Sequence, residues 1–426
     1  MKILAHIHGY PPYHNAGAEW MLHAILVLLQ QRGHECRVLV PTKDNYEFEG
    51  VKVFKDNREN ISNLYVWCDL AMSHLQLTGA VISNSRRAGK PHFHIVHNST
   101  PYSDVARCLP SWMIYNTDWL QQLHKNSYVH RGCVVHPPVI PSKYETETTR
   151  EYITLVNLWE NKGGKILQQI AKALPQYQFL GVEGGYGGQE IDRSIQNITY
   201  ISNTPNMRNE VYAKTKILIM PSDYESYGRV AIEAICSGIP VVCTDTPGLK
   251  EALKESGIYI SDRKNIQSWI DELKKLCEDS KYYTEISYIC KARSSEISEQ
   301  TTPEIDRLEN LMKSAMNSFV LLPDKPKNVK VTTSSVQLRA LKSFYDIRSH
   351  RKGEVWEETN TTRAEQWINH NLCEIYGSDV IAPPNGTTLG NVIEIPEQKF
   401  PVIEIPEEKL PVKEIKKPGR KKKEAV

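Results

Sequence analysis

Over the first 320 residues, short apolar runs alternate with longer stretches whose apolar positions recur at helical spacing. KILAHIH opens the chain, a Gly/Pro loop follows, and Ala18 to Gln31 carries a helical pattern closed by Gly33. ECRVLV then starts a second apolar run, so the opening predicts strand, loop, helix, strand. HFHIVH at 92–97 and SWMIYN at 111–116 continue the alternation expected of a parallel sheet covered by helices. After the polar SKYETETTR the pattern restarts. YITLVN, the helix KILQQIAKAL, YQFLGV, KILIMPS, a helix near Gly228, PVVCTD, a helix near Gly248 and IYI make a second unit, followed by helices around 265–278 and 303–318. Two similar α/β halves are expected, 1–148 and 149–320.

Beyond Phe319 the pattern changes. Residues 321–333 read as a linker, and 334–382 as a small strand-rich module with a short helix at 363–369. From 383 to 426 the chain is low in complexity, with the tandem units VIEIPEQKFP and VIEIPEEKLP, and it is expected to be an extended, disordered tail. The terminal KEIKKPGRKKKEAV carries seven basic and two acidic residues. It suits salt-dependent contact with nucleic-acid phosphates or simple solubilising charge, and both readings stand.

Composition narrows the class. The chain has 426 residues and a net charge of +2, with both signs spread along the α/β part, which argues against a uniformly basic nucleic-acid binder. No apolar stretch approaches the length of a membrane-spanning helix, and histidine, glycine and proline interrupt the N-terminal run before a signal-peptide core forms. A cytoplasmic protein without a transmembrane segment is expected. The nine cysteines form no C-x-x-C pair or zinc-type cluster, so neither disulfides nor a zinc site are expected, and Cys243 reads as a small buried hydrophobe.

The chemistry concentrates in PSDYESYGRVAIEAICSGIP at 221–240. A strand ending in KILIMPS delivers this loop to the carboxyl edge of a sheet, where open α/β sheets bind ligands. A helix starting near Gly228 aims its free N–H groups at that loop, which favours an anionic diphosphate. Glu225 on the loop can accept hydrogen bonds from hydroxyls of a sugar, and Glu233 from the paired hydroxyls of a ribose. An isolated pair of carboxylates at this spacing would read as a surface residue and a helix-dipole partner. Here the whole segment, continued by CSGIPVVCTDTPGLKEAL, resembles the donor-site signature of GT-B-fold glycosyltransferases of family 4. The resemblance extends over roughly residues 1–320. It implies two Rossmann-like domains facing across a cleft, the first on the acceptor side and the second binding the nucleotide sugar.

The resemblance also implies roles for individual positions. YPPYHNAGAE at 10–19 corresponds to the family's first-domain glycine-rich loop, with Gly17 kept and Ala16 in place of the preceding glycine. VNLWENKGGKILQQI at 156–170 resembles the segment that brings an arginine and a lysine to the diphosphate; Lys162 is the lysine, and Asn157 stands at the arginine position. Arg229 or Lys165 are the candidates to make up the missing charge. His97 matches a histidine near the transferred sugar, and a structural histidine is the alternative. EGGYGG at 183–188 resembles the turn beside the nucleotide base. The implied catalytic residues are His97, Lys162 and Glu225; the implied donor-binding residues are Gly17, Asn157, Lys162, Glu225, Ser226, Tyr227, Gly228 and Glu233. The resemblance implies transfer with retention of configuration, a nucleoside-diphosphate sugar as co-substrate and independence of metal; no D-x-D metal motif is present, and no cofactor is expected. The segment LRALKSFYDIRSHRKGEVWEE is similar to modules at the ends of bacteriophage proteins, which brings DNA or a virion protein beside a glycan as acceptor. A binding or attachment protein on a degenerate scaffold is the competing class, supported by Ala16 and Asn157.

Overall fold

The apolar runs become the strands of two sheets. The computed structural model describes residues 1–99, 111–124 and 132–318, and the strand segments 336–340, 344–345, 349–350, 355–358 and 373–375. The first sheet holds β1 (Lys2–His6), β2 (Glu35–Val40), β3 (Tyr46–Phe48), β4 (Val51–Lys55), β5 (Leu70–His74), β6 (His92–Val96), β7 (Ser111–Tyr115) and β8 (Gly132–Val134). Their order is β3-β4-β2-β1-β5-β6-β7-β8, and every pairing is parallel except β3 with β4. The second sheet holds β9 (Tyr152–Val156), β10 (Gln178–Val182), β11 (Ile198–Ile201), β12 (Thr215–Met220), β13 (Val241–Thr244) and β14 (Gly257–Ile260). It is wholly parallel in the order β11-β10-β9-β12-β13-β14. In both sheets the strand order reverses beside the first strand, at β1/β5 and at β9/β12, which is where doubly wound sheets open a crevice.

Helices cover both faces of each sheet. The helix Gly17–Gln31 buries Met21, Leu22, Ile25, Leu26 and Leu29 against the first sheet. On the second, the helices Gly164–Ala173 and Ile266–Glu278 bury Leu167, Ile170, Trp269 and Leu273 on one face. The helix Arg229–Ile235 buries Ala231, Ile232 and Ile235 on the other.

One expectation is corrected. The helix expected at 303–318 is the second half of one helix, Ser280–Ser318, which carries Pro303 in its interior. Its first half places Cys290 and Ile297 in the second-domain core, whereas Ile305, Leu308, Met312 and Ala315 belong to the core of the first sheet. A boundary at 320 therefore assigns the end of this helix to the wrong core. The helix expected near Gly228 is present, begins at Arg229 and runs to Ile235, so its dipole is that of two turns.

In the C-terminal part, β15 (Val336–Ala340) pairs antiparallel with β18 (Val355–Glu358) and β19 (Cys373–Ile375), and β16 (Phe344–Tyr345) with β17 (Ser349–His350). The expected linker, the helix at 363–369 and the tail from 383 lie outside the described residues. Among the described residues Cys36, Cys68, Cys133, Cys236, Cys243, Cys277 and Cys290 are free thiols, Cys243 fully buried, and no helix is long and apolar enough to cross a membrane.

Candidate functional site

Between the carboxyl edges of the two sheets lies a cleft of about 890 Å³. All the residues singled out from the sequence, Gly17, His97, Asn157, Lys162, Glu225, Ser226, Tyr227, Gly228 and Glu233, line it. They come from loops that leave strand ends and from the first turns of the helices that follow, which is why residues so far apart in sequence meet here.

The second-domain wall is built on Lys162. Its Nζ donates to Glu225 Oε1 at 2.6 Å, and Ser222 Oγ donates to the same oxygen at 2.8 Å. Burial works against the ammonium charge, but the Glu225 carboxylate outweighs it and holds the Lys162 pKa above the ordinary lysine value. Lys162 is thus a fixed positive charge, and Glu225 keeps its second oxygen for another donor. Arg263 braces both loops: Nε donates to Pro221 O at 2.8 Å, Nη2 to Glu160 O at 3.2 Å, and Nη1 pairs with Asp223. Gly228 sits at φ +91°, where an L side chain is strained, and turns the loop into the helix Arg229–Ile235.

Glu233 departs from the expectation of a carboxylate waiting for hydroxyls. It is 3 % exposed, with Oε1 paired to Arg229 and Oε2 accepting from Tyr212 OH at 2.7 Å. Any ribose must share it with these partners, using the remaining lone pairs. Arg229 in turn donates to Tyr144 OH at 2.8 Å, and Trp20 and Tyr144 flank its guanidinium. Of the two candidate replacements for the missing arginine, Arg229 is in the wall but committed to Glu233, while Lys165 is not a wall residue and pairs with Glu160 at 2.9 Å. Asn157 itself is at φ +71° and accepts from Trp159 N at 3.1 Å, so it shapes the turn and supplies no charge.

The first-domain wall is rich in imidazole. His97 Nε2 lies 2.9 Å from His74 Nδ1, and burial, with the nearby His8, lowers its pKa to about 3. His97 is therefore a neutral ring held by another histidine. His92 is structural: its two ring nitrogens lie 2.8 and 2.7 Å from Ser73 Oγ and Ser111 Oγ. A Cβ added to Gly17 meets nothing within 4 Å, so the glycine leaves the cleft open at that point. Ser226 joins the walls: its Oγ accepts from Asn116 Nδ2 at 2.9 Å and its carbonyl from Trp119 Nε1 at 2.9 Å.

Sequence reading missed Trp159, Tyr186, Tyr212, Asn116 and Arg263. Trp159 and Tyr186, in edge-to-face contact at 5.9 Å, stand in the wall beside the glycine turn. Their nearness to the Lys162 segment and the glycine turn was a usable signal. Tyr212, Asn116 and Arg263 lie on other loops and carry no local signature.

Residues 193–293 match the family described as Glycosyl transferases group 1. The D-inositol 3-phosphate glycosyltransferase of Corynebacterium urealyticum is 41 % identical over 71 residues, 16 % of each chain. That of Gordonia bronchialis is 29 % identical over 177 residues, 37 % of this chain and 38 % of its own. These alignments thus span well under half of the curated relatives' length. Among solved structures, sucrose-phosphate synthase from Thermosynechococcus elongatus superposes with a TM-score of 0.60 at 14 % identity, covering 74 % of this chain and 100 % of its own. The Anabaena protein HepE, solved with UDP-glucose, gives 0.59 at 16 % identity, covering 75 % and 100 %. Such likeness, at these identities, speaks for architecture. The chain has the GT-B fold, and its second domain carries a segment that matches the group 1 glycosyl transferases.

Proposed function

We propose that this chain transfers a sugar from a nucleoside-diphosphate sugar to an acceptor hydroxyl with retention of configuration, as family 4 enzymes do. The observation that carries the reading is the Lys162–Glu225 pair, fixed at 2.6 Å in the wall of the cleft between two Rossmann-like domains. On this reading the diphosphate lies against Lys162 and the backbone N–H groups around Gly228. Glu225 accepts from hydroxyls of the transferred sugar, Glu233 from the ribose, and Trp159 and Tyr186 flank the base. His97, being neutral, donates to a sugar hydroxyl. The bond from the anomeric carbon to the diphosphate breaks, the acceptor oxygen bonds to that carbon from the same face, and its proton passes to the departing phosphate. Fixed charge and positioning supply the rate, and the donor itself requires no metal ion.

Incubation of the chain with UDP-, GDP- and ADP-sugars tests this. One donor should release nucleoside diphosphate slowly, and Lys162→Ala should lower that release by about 10²-fold, the usual effect of removing one preorganised donor to developing charge. No release and no donor-dependent thermal shift would overturn it in favour of a binding scaffold. DNA, a virion protein or a glycan as acceptor, in the cytoplasm, is separated by mass spectrometry of cells expressing the chain or its Glu225→Ala variant.

A further inference from the structure

At the carboxyl edge of the first sheet, three side chains from separate segments converge. His8 follows β1, His74 ends β5, and Glu19 lies in the first turn of the helix Gly17–Gln31. Glu19 is 1 % exposed and His74 fully buried. Both oxygens of Glu19 and Nε2 of His74 are buried without a well-formed hydrogen bond; Glu19 makes only loose ion pairs, with His8 at 3.3 Å, His14 at 3.5 Å and His74 at 3.6 Å. A buried carboxylate so loosely held is costly, and such groups are ordinarily closely hydrogen-bonded or bound to a metal.

The spacing identifies what is missing. Glu19 Oε1 stands 3.3 Å from His8 Nε2 and 3.6 Å from His74 Nε2, and the three ligand atoms lie within 4.8 Å of one another. Ligands bound at about 2.0–2.1 Å in a tetrahedron are separated by about 3.3–3.4 Å. The two separations from Glu19 Oε1, 3.3 and 3.6 Å, are close to such an edge, and the third lies within 4.8 Å. We propose that His8, Glu19 and His74 hold a single divalent ion of the zinc class, with its remaining coordination position open to the cleft.

Two imidazoles and one carboxylate suit zinc and its first-row neighbours better than magnesium or calcium, which take oxygen ligands. His74 is held for the role by His97: the 2.9 Å contact at Nδ1 fixes the ring so that Nε2 faces Glu19, as partners behind metal-bound histidines do. His8 and Glu19 line the cleft, and His14, whose Nδ1 is 3.5 Å from Glu19 Oε2, lies at its edge. The ion adds positive charge to a cleft in which Asn157 stands where the resemblance implies arginine. The site does not rest on the transfer reading, because binding is measured without any donor.

The test uses the full chain stripped with chelator and titrated with zinc chloride by calorimetry, and with cobalt(II) chloride by visible absorption. The expected result is one ion per chain and a ligand-field spectrum of a four- or five-coordinate cobalt site, abolished by zinc. His8→Ala and Glu19→Gln should each weaken zinc binding by at least about tenfold, and His97→Ala, acting through His74, by about 10–100-fold. His136→Gln removes a histidine from the separate Asp118, His136 and Glu251 cluster and should leave binding unchanged. His8 sits in the cleft wall, so His8→Ala remains decisive even where Glu19→Gln fails to fold. No saturable uptake, uptake that survives both His8→Ala and Glu19→Gln, or uptake lost in His136→Gln would overturn the proposal and leave Glu19 balanced by protonated histidines alone.

Discussion

Arg229 and Glu233 show how much a single pair can matter in this cleft. Both side chains are at least nine-tenths buried, and Glu233 is the main electrostatic partner of Arg229. Removing one partner of such a pair strands the other's charge, which usually costs about 3–5 kcal/mol, whereas replacing both with apolar residues is far milder. Arg229→Met should therefore lower unfolding stability in urea by about that amount, and Arg229→Met with Glu233→Leu should recover most of it. If the double variant is as unstable as the sum of the singles, the pair is not coupled as described. Tyr212 OH, the second partner of Glu233, shares this burden, and burial together with the Glu233 carboxylate raises its pKa well above the ordinary value. The i,i+4 spacing of Arg229 and Glu233 made their contact legible in the sequence; the contribution of Tyr212, from a loop before β12, was not.

At the scale of elements, the helix Pro247–Leu253 sets the position of the loop 221–228. Gly248 lies in its first turn, and a Cβ there would collide with the backbone of Glu225 and Ser226. Helix propensity alone favours alanine over glycine by about 1 kcal/mol, so local and tertiary effects oppose each other. The obstacle is backbone, which cannot swing aside, and the tertiary effect should win. Gly248→Ala should lower the melting temperature and weaken donor binding measured by calorimetry. A stabilised variant with unchanged affinity would show that the loop yields. Thr246 caps this same helix by accepting from Leu249 N. The glycine near a helix start was visible in TPGLKEAL, but its contact with Glu225 and Ser226 was not.

Across the whole molecule, one hydrogen-bonded chain ties the two Rossmann-like domains. Glu251 accepts from the backbone N–H of Asp118 and Trp119 at 2.6 and 2.9 Å, and its Oε1 lies 2.7 Å from His136 Nε2. His136 Nδ1 lies 2.7 Å from Glu304 Oε1, on the helix that crosses from one core to the other. Burial opposes the imidazolium, but Glu251 and Glu304 overcome it and raise the His136 pKa to about 9. A pKa raised on folding adds stability that is complete below the unfolded value of 6.5 and is lost as pH rises through about 9. The melting-temperature difference between wild type and His136→Gln should be largest near pH 6 and fall steadily towards pH 9.5. A difference that stays constant across that range would mean that His136 is not charged in the tie. Glu251, whose pKa lies below 4.5, sets the opposite limit: its contribution is present above 4.5 and is lost as pH falls further.

The two α/β halves, the loop 221–228 with its carboxylates, Lys162 and the uncharged Asn157 were all determined within short windows of sequence, because period, turn residues and motif spacing are local properties. Three things were decided by tertiary structure alone. Ser280–Ser318 runs through Pro303 as one helix because its two halves are buried in different cores. The second oxygen of Glu233 is occupied because Tyr212, 21 residues away, converges on it. His8, Glu19 and His74, spread over 66 residues of sequence, meet because β1 and β5 are neighbours at the point where the strand order reverses. Contacts of this kind arise from how strands are ordered in a sheet, and no stretch of sequence read on its own contains that order.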